Sequence, residues 1–78
     1  MFKAFIESTG ESKNRRFLGE RVKYDNLWSD VVSPFIRENN FALSDGRIIT
    51  RSWINPSDEK ETYIDFGSWS TYIVIREE

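Results

Sequence analysis

Residues 25–40 read DNLWSDVVSPFIRENN, and this stretch decides the fold. Its apolar members Leu27, Trp28, Val31, Val32, Phe35 and Ile36 recur at i, i+1, i+4, i+5, i+8 and i+9, one broad stripe at the 3.6-residue period of an α-helix. Asp25 or Asn26 can cap its start, and Asn39-Asn40 can end it, because Asn tolerates a left-handed backbone. The spacing predicts a helix over about 26–39. Pro34 lacks a backbone donor and crowds the carbonyl four residues earlier, so the helix should kink there or restart with Ser33 as cap and Pro34 as first helical residue.

A stripe this wide needs a large apolar surface to lie on, and the flanking sequence supplies strands. Phe2, Ala4 and Ile6 alternate with Lys3, Phe5 and Glu7 at period 2. The polar run 9–14 reads as a mobile loop, and a weaker strand pattern resumes from Arg15 to Tyr24, with Gly19 marking a bulge or bend. After the helix, Asp45-Gly46 is a two-residue hairpin signal between Phe41–Ser44 and Arg47–Thr50, with the second strand continuing to Ile54. Asn55 to Lys60 reads as a polar turn. Thr62 to Phe66 forms the next strand, and Gly67-Ser68 turns the chain before a last strand from Trp69 to Arg76. The expected fold class is α+β: one domain over residues 1–78, with an antiparallel sheet of about five to six strands and the helix, placed between the second and third, packed on one face.

With 78 residues and neither Cys nor His, the chain has no disulfide, thiolate or imidazole to supplement its core. Its three Trp, three Tyr and six Phe must do that by packing. The same two absences remove the imidazole base and the thiolate nucleophile, so no catalytic residue, metal or cofactor is expected. Asp65-Phe66-Gly67 spells the metal-binding tripeptide of protein kinases, but the glycine-rich loop and catalytic-loop Asp that accompany it are missing, and it reads as a strand ending at a turn. The acidic group Asp58, Glu59, Glu61 and Asp65 lacks calcium-loop spacing and reads as a solvated turn.

No apolar run has signal-peptide or membrane-spanning length, and Asn55 precedes Pro56, which excludes it as a glycosylation acceptor. The expectation is a cytoplasmic protein with no membrane partner. Charge is uneven: residues 1–24 carry six Lys/Arg against three Glu, and residues 25–78 carry five against ten Asp/Glu. The halves are therefore +3 and −5, a balance that favours protein partners over a phosphate backbone.

A helix covers only one sheet face, and aromatic residues left on the other would form a rigid amphipathic surface of the kind binding hot spots favour. If Trp69, Thr71, Ile73 and Ile75 share the core face, Tyr72, Val74 and Arg76 point outward. Trp53, Tyr63, Tyr72 and Arg76 are accordingly the candidate partner-binding residues. The function they suggest is a small non-catalytic modulator, of the phage-encoded or bacterial inhibitor type, that occupies a surface of a larger protein or complex. Two alternatives stand beside it. Lys13, Arg15, Arg16, Arg21 and Lys23, interleaved with Phe17 and Tyr24, have the cations and rings for nucleic-acid contact, whether as a simple binder or as a small ribonuclease-like toxin. Alternatively, the chain is a self-assembling structural subunit that pairs edge strands with copies of itself, a homodimer being the simplest case.

Overall fold

The structure, a computed structural model, describes residues 1–8 and 15–78. The loop expected over 9–14, with Lys13 in it, lies outside the described residues. Five strands, β1 (Phe2–Ser8), β2 (Arg15–Arg21), β3 (Arg51–Ile54), β4 (Glu61–Asp65) and β5 (Thr71–Glu77), form one antiparallel sheet in the order β2-β1-β5-β4-β3. The helix lies between the second and third strands, as the sequence indicates. The two terminal strands are neighbours at the centre, in register from Phe2 opposite Glu77 to Ser8 opposite Thr71. Met1 and Glu78 also exchange backbone hydrogen bonds, and Lys3 pairs with Glu78 at 2.7 Å. Among the described residues, no helix is long and apolar enough to cross a membrane.

Residues 24–38 are helical throughout, in three segments: α1 (Tyr24–Leu27), a π-helical turn (Trp28–Val32) and α2 (Ser33–Glu38). The helix starts two residues earlier than expected. Lys23 is its N-cap, with no side-chain hydrogen bond, and Asp25 sits in the first turn, where its charge complements the helix dipole. Pro34 is accommodated without a restart. Ser33 keeps helical dihedrals, and its N–H donates to the Trp28 carbonyl, five residues back, so the extra residue of the π turn is taken up just before the proline. At the other end Asn40 adopts φ 63°, Asn40 N–H donates to Arg37 O and Phe41 N–H to Ile36 O, which is the Schellman arrangement.

The stripe packs as its spacing requires. Leu27, Val32 and Ile36 are fully buried against Ala4, Ile6, Ile64, Ile73 and Ile75 of the sheet, with Trp28, Val31 and Phe35 half-buried at the margins. Gly19 lets the helix approach β2: a Cβ there would lie 2.8 Å from Val31 Cγ2. The bulge anticipated at this glycine is present, since Ala4 faces Gly19 while Phe5 faces Phe17, leaving Leu18 as the extra residue.

Three expectations are corrected. The flanks of Asp45-Gly46 are not strands, and only Arg51–Ile54 of the long strand expected from Arg47 pairs with a neighbour. The chain does turn there, Gly46 having φ 88° and Leu43 N–H donating to Arg47 O, but Asp45 lacks the positive φ that a type I′ hairpin needs at both central residues. Phe41 instead packs edge-on to Phe66 at 4.9 Å, capping the end of the core. Secondly, β2 stops at Arg21 where a strand to Tyr24 was expected, because Tyr24 already begins α1. Thirdly, Trp69 does not share the core face with Ile73 and Ile75. Gly67, at φ 102°, turns the chain after β4, and β5 begins only at Thr71, leaving Trp69 98% exposed in the connection.

Candidate docking face

Strand alternation places one side chain from every strand in a row across the helix-free face. Phe17 of β2 stands opposite Phe5 of β1, Phe5 opposite Val74 of β5, Val74 opposite Tyr63 of β4, and Tyr63 opposite Trp53 of β3. The rings meet edge-on or tilted: Phe5 and Phe17 at 5.7 Å, Trp53 and Tyr63 at 5.7 Å, and Tyr63 and the neighbouring Tyr72 at 5.0 Å. Such aromatic contacts hold rings in fixed orientations. Trp53, at the sheet edge, is 46% exposed, and Tyr63 and Tyr72 are half-buried.

An ionic network flanks and partly roofs this row. From β2, Arg15 donates to Glu7 Oε2 at 2.7 Å and reaches across the two central strands to Glu61 Oε2 of β4, also at 2.7 Å. Its guanidinium passes 5.4 Å from the Phe5 ring centroid, and Val74, between the two carboxylates, is fully buried although no helix covers it. Glu7 and Glu61 are themselves only 2% and 6% exposed. Glu61 also accepts from Asn55 and from Arg76, and Arg76 pairs with Asp58 and Glu78. Among the described residues, no buried side-chain polar atom lacks a partner. The Arg15 hydrogen bond, ahead of those from Asn55 and Arg76, holds the Glu61 carboxyl below the ordinary carboxylate range, and Arg76 does the same to Asp58. Burial first, and the Glu7 charge next, push the Tyr63 and Tyr72 phenols up, so both remain neutral hydrogen-bonding groups at neutral pH.

All four candidate partner-binding residues, Trp53, Tyr63, Tyr72 and Arg76, stand on this face. The first three form its aromatic part, and Arg76 is tied into the ionic part. The basic set is not gathered in the same way. Arg15 is held by Glu7 and Glu61, Arg21 by Asp30 at 3.1 Å, Arg16 is exposed at the position that alternates with Arg15, and Lys23 caps the helix. Of the acidic run, Asp58 and Glu61 are taken up by arginines, and among the described residues no group of acids is arranged to hold a metal ion.

Sequence reading placed Val74 on this face without giving it a role, and did not single out Glu7, Glu61 or Phe5 for it. The signal available was the alternation itself: Lys3-Phe5-Glu7 and Glu61-Tyr63-Asp65 each place a ring between charges on the face opposite the aliphatic one. Exposure of Trp69 was foreshadowed by its setting in Gly67-Ser68-Trp69-Ser70, a turn composition. Compared with known proteins, the chain matches no family model, no curated protein and no solved structure.

Proposed function

We propose that the protein is a non-catalytic binding module that lays its helix-free sheet face on a larger protein, modulating that partner by occupying its surface. The observation that carries this reading is the row Trp53, Tyr63 and Tyr72: large amphipathic rings, fixed by one another and partly open to solvent on a face that no other element of the described chain covers. Rings ordered before binding lose little conformational entropy on contact, which is why Trp and Tyr dominate interface energetics. The ionic network that flanks and partly roofs the row keeps the face stiff, and its cations are satisfied internally, which favours a protein surface over a phosphate backbone. A cytoplasmic inhibitor of phage or bacterial type fits this reading.

Affinity capture from cell lysates, with and without nuclease and at low and high salt, compares the protein with its Trp53→Ala variant. A protein retained through nuclease and salt, and lost with Trp53→Ala while circular dichroism stays unchanged, supports the proposal. Capture indifferent to Trp53 refutes it, and recovery of nucleic acid that disappears with salt would favour the basic set instead.

Self-assembly is the second reading that an observation favours. Every residue of edge strand β3 is exposed, and Ile54 is 62% exposed, whereas the opposite edge strand β2 carries Arg15, Arg16, Glu20 and Arg21 and a bulge. Charges and bulges blunt an edge against pairing, and β3 has little of either. Sedimentation at two protein concentrations separates the readings.

A further inference from the structure

Beside the aromatic row, Trp53, Asp65, Ser68, Thr71 and Tyr72 line an open hollow of about 260 Å³. Asp65 supplies its charge. Oδ1 of that carboxylate accepts the Gly67 N–H at 2.9 Å, which fixes the side chain, and Oδ2 lies 3.7 Å from Arg51 Nη2. That ion pair is loose, because the Arg51 side chain is 86% exposed and the distance is beyond hydrogen-bonding range. The hydroxyls of the wall are occupied: Thr71 Oγ1 donates to Ser68 Oγ, which also accepts the Ser70 and Thr71 N–H groups.

Two aromatic walls and a carboxylate are the recognition chemistry of an organic cation. We infer that this hollow receives a lysine or arginine side chain of the docked partner, an inference that rests on the reading of the helix-free face as the docking surface. Charge complementarity points the same way. Among the described residues the other cations of the face are already bound, Lys3 to Glu78, Arg15 to Glu7 and Glu61, and Arg76 to Asp58, so Arg51 is the cation that competes for Asp65. The chain from residue 25 onward carries a charge of −5. Arg51 itself shows that a guanidinium can approach Asp65, and its exposure shows how little holds it there.

The test is a titration of the intact protein followed by two-dimensional NMR of the Trp53 indole N–H and the Tyr72 ring. The probes are N-acetyl-lysine methylamide, N-acetyl-arginine methylamide and the uncharged N-acetyl-norleucine methylamide. The cationic probes should give saturable shifts at both residues and the norleucine probe none, with the tighter cation identifying lysine or arginine as the side chain received. Asp65→Asn, which keeps the acceptor for Gly67, should weaken cation binding roughly fivefold. Arg51→Ala, which removes the internal competitor, should strengthen it. Equal shifts with norleucine, no saturation with either cation, or weakening in Arg51→Ala would overturn the inference. Shifts that follow protein concentration without probe would also overturn it, by giving the site to a second copy of the chain. The two readings fail separately: partner capture lost with Trp53→Ala but intact in Asp65→Asn leaves the docking face standing and removes the cation, whereas capture indifferent to Trp53→Ala removes the docking face itself.

Discussion

Replacing Arg15 with Met tests whether this arginine, which the sequence offers as a phosphate contact, is instead a structural tie. Its guanidinium donates four hydrogen bonds, two to Glu7 and two to Glu61, at 2.7 to 3.3 Å. Methionine keeps the apolar stem over Phe5 and Val74 but leaves two nearly buried carboxylates facing each other without their shared cation. Removing one partner of a buried ion pair costs about 3–5 kcal/mol. Two features reduce that figure here: the Arg15 side chain is 30% exposed, so water can replace part of it, and Glu61 keeps Arg76 and Asn55. A loss of roughly 2–3 kcal/mol at pH 7 follows, against a net stability of roughly 4–12 kcal/mol for a chain this size. The pH dependence carries a definite sign. In the parent protein the Glu61 pKa is depressed, so its stabilisation is present above the ordinary carboxylate range and is lost as pH falls through the depressed value. In the variant burial acts on Glu61 with only Asn55 and Arg76 to oppose it, so its charged form contributes less to stability than in the parent. The difference between the two proteins is therefore largest at neutral pH and smaller at about pH 3, below the ordinary carboxylate range. Urea unfolding followed by tryptophan fluorescence at the two pH values measures it. A loss below ~1 kcal/mol at pH 7, or one that does not shrink in acid, would refute the assignment of Arg15 as a structural tie.

Gly19→Ala should destabilise by about 1–3 kcal/mol, because its Cβ would meet both Val31 γ-carbons within 3.1 Å and a β-branched residue in a helix has little freedom to turn away. Adding Val31→Ala should recover part of that loss, and a double-mutant cycle in urea that shows no coupling would mean the helix stands further from β2. Asn40→Ala should cost roughly 1 kcal/mol while Asn40→Gly is neutral or stabilising, since the residue holds φ 63° at the helix end. Thermal midpoints that move in the same direction for both variants would contradict a left-handed C-terminal cap.

The outward assignment of Tyr72 and Arg76 was legible because strand alternation is local: once Ile73 and Ile75 are inside, their neighbours must point the other way. The same locality made the helix face readable from Leu27 to Ile36, and the glycine at 19 interpretable as a bulge. Local signals misled at two turns. Asp45-Gly46 has hairpin composition and turns the chain, yet its flanks do not pair, and Phe41 packs edge-on to Phe66 instead. Trp69 is apolar and adjacent to a strand, yet the left-handed Gly67 places it outside the sheet.

By itself the sequence determined the α+β class, the single helix between the second and third strands, the apolar stripe and the exclusion of imidazole and thiolate chemistry. Each of these depends on residue type or on periodicities a few residues long. Only the tertiary structure decided that β1 and β5 are neighbours, that Phe17, Phe5, Val74, Tyr63 and Trp53 form one row, and that Arg15 is bound by carboxylates 8 and 46 residues away. Strand order is set by which distant segments bury the most apolar surface together, a property of the whole chain that no local pattern encodes.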